Sequence, residues 1–126
     1  MSRLLADLDP SFLPDAALFL AKCVEAQIPV LITCTRRTAE EQAEAVATGH
    51  SQVTHSRHQD GMAIDVVPYD LFDRDGPDKL DWDTSDPVWL KIGTIAEGLG
   101  LRWGGRFHPL NAAGIGWDPG HVERPA

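Results

Sequence analysis

"SRHQDGMAIDVVP", residues Ser56–Pro68, joins a polar, histidine-bearing loop to a short apolar run. The run "MAIDVVP" (Met62–Pro68) reads as a strand that Pro68 stops. Side chains alternate along a strand, so Ala63 and Asp65 face one way and Ile64 and Val66 the other. A carboxylate between two such apolar residues needs a strong partner if it is buried. His58 stands seven positions before Asp65. Gly61 lies between them, where a missing side chain lets the loop fold back over the strand end. On spacing alone the pair is either a loop histidine and a locally satisfied aspartate, or half of a metal site.

The flanking sequence supplies the rest of a layered domain. Residues 11–27 carry apolar side chains at three- and four-residue steps and predict a helix, with Pro14 in its first turn. Its face is Leu13, Ala17, Leu20 and Val24, and Phe12, Ala16, Phe19 and Cys23 form the adjoining stripe. "IPVLITC" (Ile28–Cys34) predicts a buried strand. Thr38 caps a second helix, Glu41 completes a capping box, and Gly49 ends it. Residues 49–61 read as a loop. Residues 69–87 hold seven aspartates, two prolines and a glycine and read as a long solvated excursion. Calcium is a rival there, but "DRDGPDKLDWD" lacks the EF-hand spacing and its closing Glu. Asp86 and Pro87 open a third helix with Val88, Ile92, Ile95 and Leu99 on its apolar face. Trp82 and Trp89 are expected to pack the long loop and this helix. "LRWGG" predicts a short strand and turn, and "GHVE" a last strand. This order predicts an α+β fold, a small sheet covered on one side by helices.

The bulk numbers exclude several function classes. At 126 residues and 43% hydrophobic content, the chain suits one domain with a real core. A net charge of -8 without a dense Lys/Arg run argues against nucleic-acid binding through phosphates. It also argues against electrostatic adhesion to anionic membranes or wall polymers. No stretch approaches the roughly 20 apolar residues of a membrane span. "MSRLLADLDPSF" has no long apolar core and no cleavage site, so no secretory signal is expected. Cys23 and Cys34 sit in apolar surroundings and are expected to be buried thiols.

The chemical candidates are His58, Asp65 and His121, with Asp118 and Arg37 as accessories. Two imidazoles and a carboxylate suit a catalytic zinc site with a fourth position left for water. His121 and Glu123 share a face of the last strand, so a neighbouring strand can present His121 to Asp65.

Four blocks then carry a family resemblance. "SRHQDGMAID" matches the S-x-H-x-x-G-x-A-x-D motif of the M15 zinc peptidases, which group D-Ala-D-Ala carboxypeptidases and dipeptidases with phage L-alanyl-D-glutamate endopeptidases. "DPGHVE" resembles the D-x-x-H block of the endopeptidase branch. "TRRTAEEQ" is similar to its G-Y-R-S-x-x-E-Q segment, and "LGLRWGGRF" to its G-L-x-W-G-G-x-W segment. The blocks stand in family order over roughly residues 30–123.

The resemblance implies a hedgehog/D-Ala-D-Ala-peptidase-like fold with a small antiparallel sheet, forming one zinc peptidase domain over residues 1–126 without a wall-binding module. It implies one Zn2+ held by His58, Asp65 and His121. Asp118 is then the proton carrier and Arg37 the oxyanion cation, for direct attack by a zinc-activated water without an acyl-enzyme. The implied substrate is the peptidoglycan stem peptide, cut between L-Ala and D-Glu by an endolysin-like monomer that is made in the cytoplasm and released by a holin. A cytoplasmic peptidase of soluble muropeptides suits the same features. A D-Ala-D-Ala carboxypeptidase or dipeptidase and a non-catalytic zinc-binding module are the rival readings.

Departures from the family pattern leave alternatives open. "TCTRRT" admits Arg36 in place of Arg37, and "WGGRF" places Arg106–Phe107 where an acid and Trp are usual. Glu123 is a rival base or a support for a ligand. Ser56 reads as a loop-shaping hydroxyl, with no nucleophile motif around it. His108 is either a substrate contact or a surface residue. Trp103 is either core or a wall of the cleft. His50 and His55 are expected to be loop residues.

Overall fold

The computed structural model describes residues 1–70 and 78–125. Among the described residues three α-helices and four strands occur in the expected order. They are α1 (Leu13–Glu25), β1 (Val30–Cys34), α2 (Ala39–Ala47), β2 (Ala63–Pro68), α3 (Val88–Gly98), β3 (Arg102–Trp103) and β4 (His121–Glu123). The strands form one antiparallel sheet in the order β1-β2-β4-β3. The α+β expectation holds. No helix among the described residues is long and apolar enough to cross a membrane. Residues 71–77 of the acidic excursion, and with them part of the calcium question, lie outside the described residues.

The register of β2 against β4 decides where the chemistry sits. Asp65 pairs with His121, Ile64 with Val122 and Ala63 with Glu123. Alternation therefore sends Asp65, His121 and Glu123 to one face. Ile64, Val66 and Val122 go to the other, where they meet Phe12, Phe19, Ile92 and Trp103 in the core.

Two helices bury a stripe next to the expected one. On α1 the buried residues are Ala16, Phe19 and Cys23, while Val24 is 72% exposed. On α3 they are Trp89, Ile92, Gly93 and Ala96, and Val88, Ile95 and Leu99 only flank the core. Large aromatic rings fill space between helix and sheet better than the aliphatic rows beside them. Trp82, expected to pack inward, is exposed.

Local signals set the element ends. The Thr38 hydroxyl accepts the Glu41 amide and the Glu41 carboxylate accepts the Thr38 amide, a full capping box. The Asp86 carboxylate accepts the Val88 amide at the start of α3. Gly61 has φ +71, and a Cβ there would stand 2.6 Å from the Asp9 nitrogen. Its carbonyl accepts that same Asp9 N–H. The loop bearing His58 thus folds against the N-terminal turn at Leu8–Asp9, a different neighbour from the strand end expected of Gly61.

Candidate functional site

The site is built on the polar face of β2 and β4. Asp65 Oδ1 lies 3.1 Å from His58 Nε2 and 3.1 Å from His121 Nδ1. The Asp118 carboxylate stands 3.7 Å from His121 Nδ1. Arg37 reaches Asp65 Oδ2 at 3.6 Å from the other side. Among the described residues the donor atoms fall into two overlapping triplets, Cys34/His58/Asp65 and Asp65/Asp118/His121. Each triplet lies within 4.8 Å.

Each imidazole is oriented by its outer nitrogen. His58 Nδ1 donates to the Thr35 carbonyl at 2.9 Å. Its backbone amide donates to Ser56 Oγ, so the serine shapes the loop. His121 Nε2 donates to Glu123 Oε1 at 2.8 Å. In the neutral rings both inner nitrogens therefore carry lone pairs aimed at one carboxylate oxygen. Two acceptors facing a third require a positive species between them, either protons or a metal ion.

The ionisation of the cluster reflects that need. Burial works against a charged His58, but the Asp65 carboxylate outweighs it and raises the pKa to about 10. Burial likewise opposes a charged His121, and hydrogen bonds to Asp65 and Glu123 still lift it to about 9. Burial would raise the Asp65 pKa, yet the charges of His58 and His121 hold it well below the usual carboxylate range. The Glu123 carboxyl is also held low, because its pairing with His121 outweighs burial.

The donor types present suit zinc. His58 Nε2 is buried and faces the Asp65 carboxylate at 3.1 Å without a well-formed hydrogen bond, an arrangement open to a bridging cation. Ligands 2.0–2.1 Å from a tetrahedral zinc stand about 3.3 Å apart. The 3.1 Å separations of Asp65 from each histidine match that edge, while the two imidazole nitrogens fall into separate triplets that share Asp65. Cys34 Sγ instead lies 3.6 Å from His58 Nδ1, the nitrogen already turned to Thr35. It also lies within 4.8 Å of the ligand atoms of His58 and Asp65, so the thiol borders the site. Both cysteines are free and buried, and burial pushes the Cys23 thiol up to about 11.

The accessory residues separate clearly in space. Arg37 NH1 donates to Gln42 Oε1 at 3.0 Å. Arg36 points away, to the Asp7 carbonyl on the surface. Gln42 is fully buried and also donates to Ser51 Oγ and the Val53 carbonyl, tying Arg37 to the loop before His58. Sequence reasoning gave Gln42 no role. Its signal was a polar side chain at the inward position of a short, weakly apolar helix. Asp118 is the one carboxyl of the cluster raised, to about 6, by burial first and then by the negative charge of Asp65. Trp103 belongs to the core, with its indole N–H on the Pro119 carbonyl at 2.7 Å. A Cβ at Gly104 would stand 2.0 Å from the Asp118 carbonyl, so only glycine lets this turn press against the Asp118 loop.

A cleft of about 580 Å³ opens over the cluster, with His50, His55 and His108 also on its lining. The model of the D-alanyl-D-alanine carboxypeptidase family of M15 peptidases matches residues 49–124, more than half of the chain and the stretch that carries His58, Asp65, Asp118 and His121. The chain belongs to the M15 peptidases. Among solved structures, this M15 chain resembles the Serratia marcescens L-Ala D-Glu endopeptidase ChiX, with a TM-score of 0.65 and 24% identity. The match covers 96% of this chain and 83% of that one, and at this identity it speaks for the fold. No curated protein matches the chain.

Proposed function

We propose that this M15 peptidase is a zinc-dependent enzyme of peptidoglycan that hydrolyses the L-Ala–D-Glu bond of the stem peptide. The observation that carries the reading is the pair of oriented imidazoles aimed at one Asp65 oxygen beneath an open cleft. His58, Asp65 and His121 would hold the metal, with Thr35 and Glu123 fixing the ring orientations. Zinc bound there would supply a Lewis acid and a water acidified toward neutrality.

The other side chains handle charge and protons. Asp118, with its carboxyl raised to about 6, is matched to taking a proton from an attacking water near neutral pH. It then passes that proton to the departing amine. Arg37, held in place by Gln42, offers its guanidinium to the oxygen that becomes negative as the carbonyl turns tetrahedral. The structural relative is an L-Ala D-Glu endopeptidase, which favours the L-Ala–D-Glu bond. The family description favours release of a terminal D-Ala as the second reading.

Mass spectrometry of purified sacculi digested with the zinc-loaded protein separates the two. New D-Glu amino termini are expected, lost on chelation and restored by zinc. Free D-Ala with intact L-Ala–D-Glu bonds would replace this assignment by the carboxypeptidase one. Untouched sacculi, together with a protein that takes up no zinc, would remove both.

A further inference from the structure

The chain is acidic overall, but its cleft is not. Among the described residues four arginines and no lysine line it, against Asp65, Asp118 and Glu123. Three of those guanidiniums are committed to the protein. Arg37 holds Gln42 and Asp65. Arg57 donates to the Arg124 carbonyl and pairs with Asp60. Arg106 clamps the Glu97 carboxylate with Nε and a terminal nitrogen at 2.9–3.3 Å.

Arg102 differs from them. It pairs with Glu123 in the β3–β4 register, which places it on the face that carries His121. Its guanidinium lies 4.5 Å from the centre of the Phe107 ring, and Phe107 in turn packs against His121. Its nearest carboxylate, Glu123, is 3.7 Å away, beyond hydrogen-bond length. The side chain is 60% exposed. An arginine propped on an aromatic face, with its donors uncommitted among the described residues, is a preorganised carboxylate receptor.

Its distance from the histidines limits which carboxylate it can reach. Glu123 lies two residues from His121, about 7 Å along the strand. A guanidinium beside it reaches one residue past a carbonyl seated over the histidines. We propose that Arg102 is a specificity residue that binds the free α-carboxylate of the residue on the leaving side of the cleaved bond. This rests on the L-Ala–D-Glu reading above. In a stem peptide D-Glu is linked through its side chain, so its α-carboxylate is free unless amidated. The enzyme therefore prefers unamidated stem peptides.

The test compares two stem tripeptides that differ only in whether the D-Glu α-carboxylate is free or amidated. The zinc-loaded full chain should cleave the free acid with a kcat/KM about fivefold higher, the upper size of one partly exposed ion pair. In Arg102→Gln this ratio should collapse toward one, mainly through KM, with zinc content unchanged. Arg106→Gln removes the same charge from the same cleft and should keep the wild-type ratio. Because the ratio is taken within each variant, partial unfolding does not distort it. Equal cleavage of both peptides by the wild type, or an unchanged ratio in Arg102→Gln, overturns the anchor while the bond assignment stands. Cleavage of neither peptide by the zinc-loaded wild type overturns both.

Discussion

The two faces of β2 and β4 are made by neighbouring residues of the same strands, yet they obey opposite rules. One face presents Ile64, Val66 and Val122 to a dry core and is stabilised by every contact it makes. The other presents Asp65, His121 and Glu123, groups largely withdrawn from solvent that satisfy one another only if protons or a cation join them. The apolar face secures the fold, and the polar face draws on that stability to hold charges in an arrangement that would not persist alone. A single alternation of side chains separates the two.

The largest expected effect is on metal affinity as a function of pH. The pKa values of His58 and His121 are raised to about 10 and about 9, so below pH 9 both rings carry protons that a metal must displace. The apparent zinc affinity should then rise about a hundredfold per pH unit, or roughly 10⁴-fold from pH 6 to pH 8. Chelator competition at a series of pH values measures this. A plateau above pH 7, the behaviour of two ordinary imidazoles, would show that Asp65 does not organise this face.

Next in size is Asp118→Asn, which keeps the shape but removes the proton acceptor. Turnover of stem peptide should fall roughly 10²–10⁴-fold while zinc stays bound. Activity within a few fold of wild type would pass the role to Glu123, whose carboxyl is held low and already engaged by His121.

The smallest effect comes from the apolar face. Ile64 is fully buried, and Ile64→Val should cost about 0.5–1.5 kcal/mol in denaturant unfolding. Zinc affinity should not change. A parallel loss of zinc affinity would mean that the two faces are coupled more tightly than alternation implies.

Much of this division was legible in the sequence, because period-two patterning and turn chemistry are local signals. "MAIDVVP" placed Asp65 opposite Ile64 and Val66, and "HVE" placed His121 and Glu123 on one face, before any pairing was known. The capping box at Thr38 was equally readable. The choice of buried stripe on α1 and α3 was less so, since adjoining apolar rows are both consistent with helical spacing and only tertiary packing selects one. Arg36 and Arg37 could not be told apart, because a backbone turn decides which of two neighbours looks inward. Gln42, Thr35 and Arg102 went unassigned for a related reason. The roles of Thr35 and Arg102 depend on partners more than twenty residues away, and that of Gln42 on three side-chain and backbone partners that converge only once α2 packs.

The pairing of Asp65 with His121 also bears on how the chain reaches its native state. If β4 slipped by one residue along β2, Val122 would face the site and the imidazole would enter the core. A divalent ion that needs both side chains binds only the sheet that is in frame. A metal held there would act as a proofreader of strand alignment, rewarding the one register in which the two distant halves of the sequence meet.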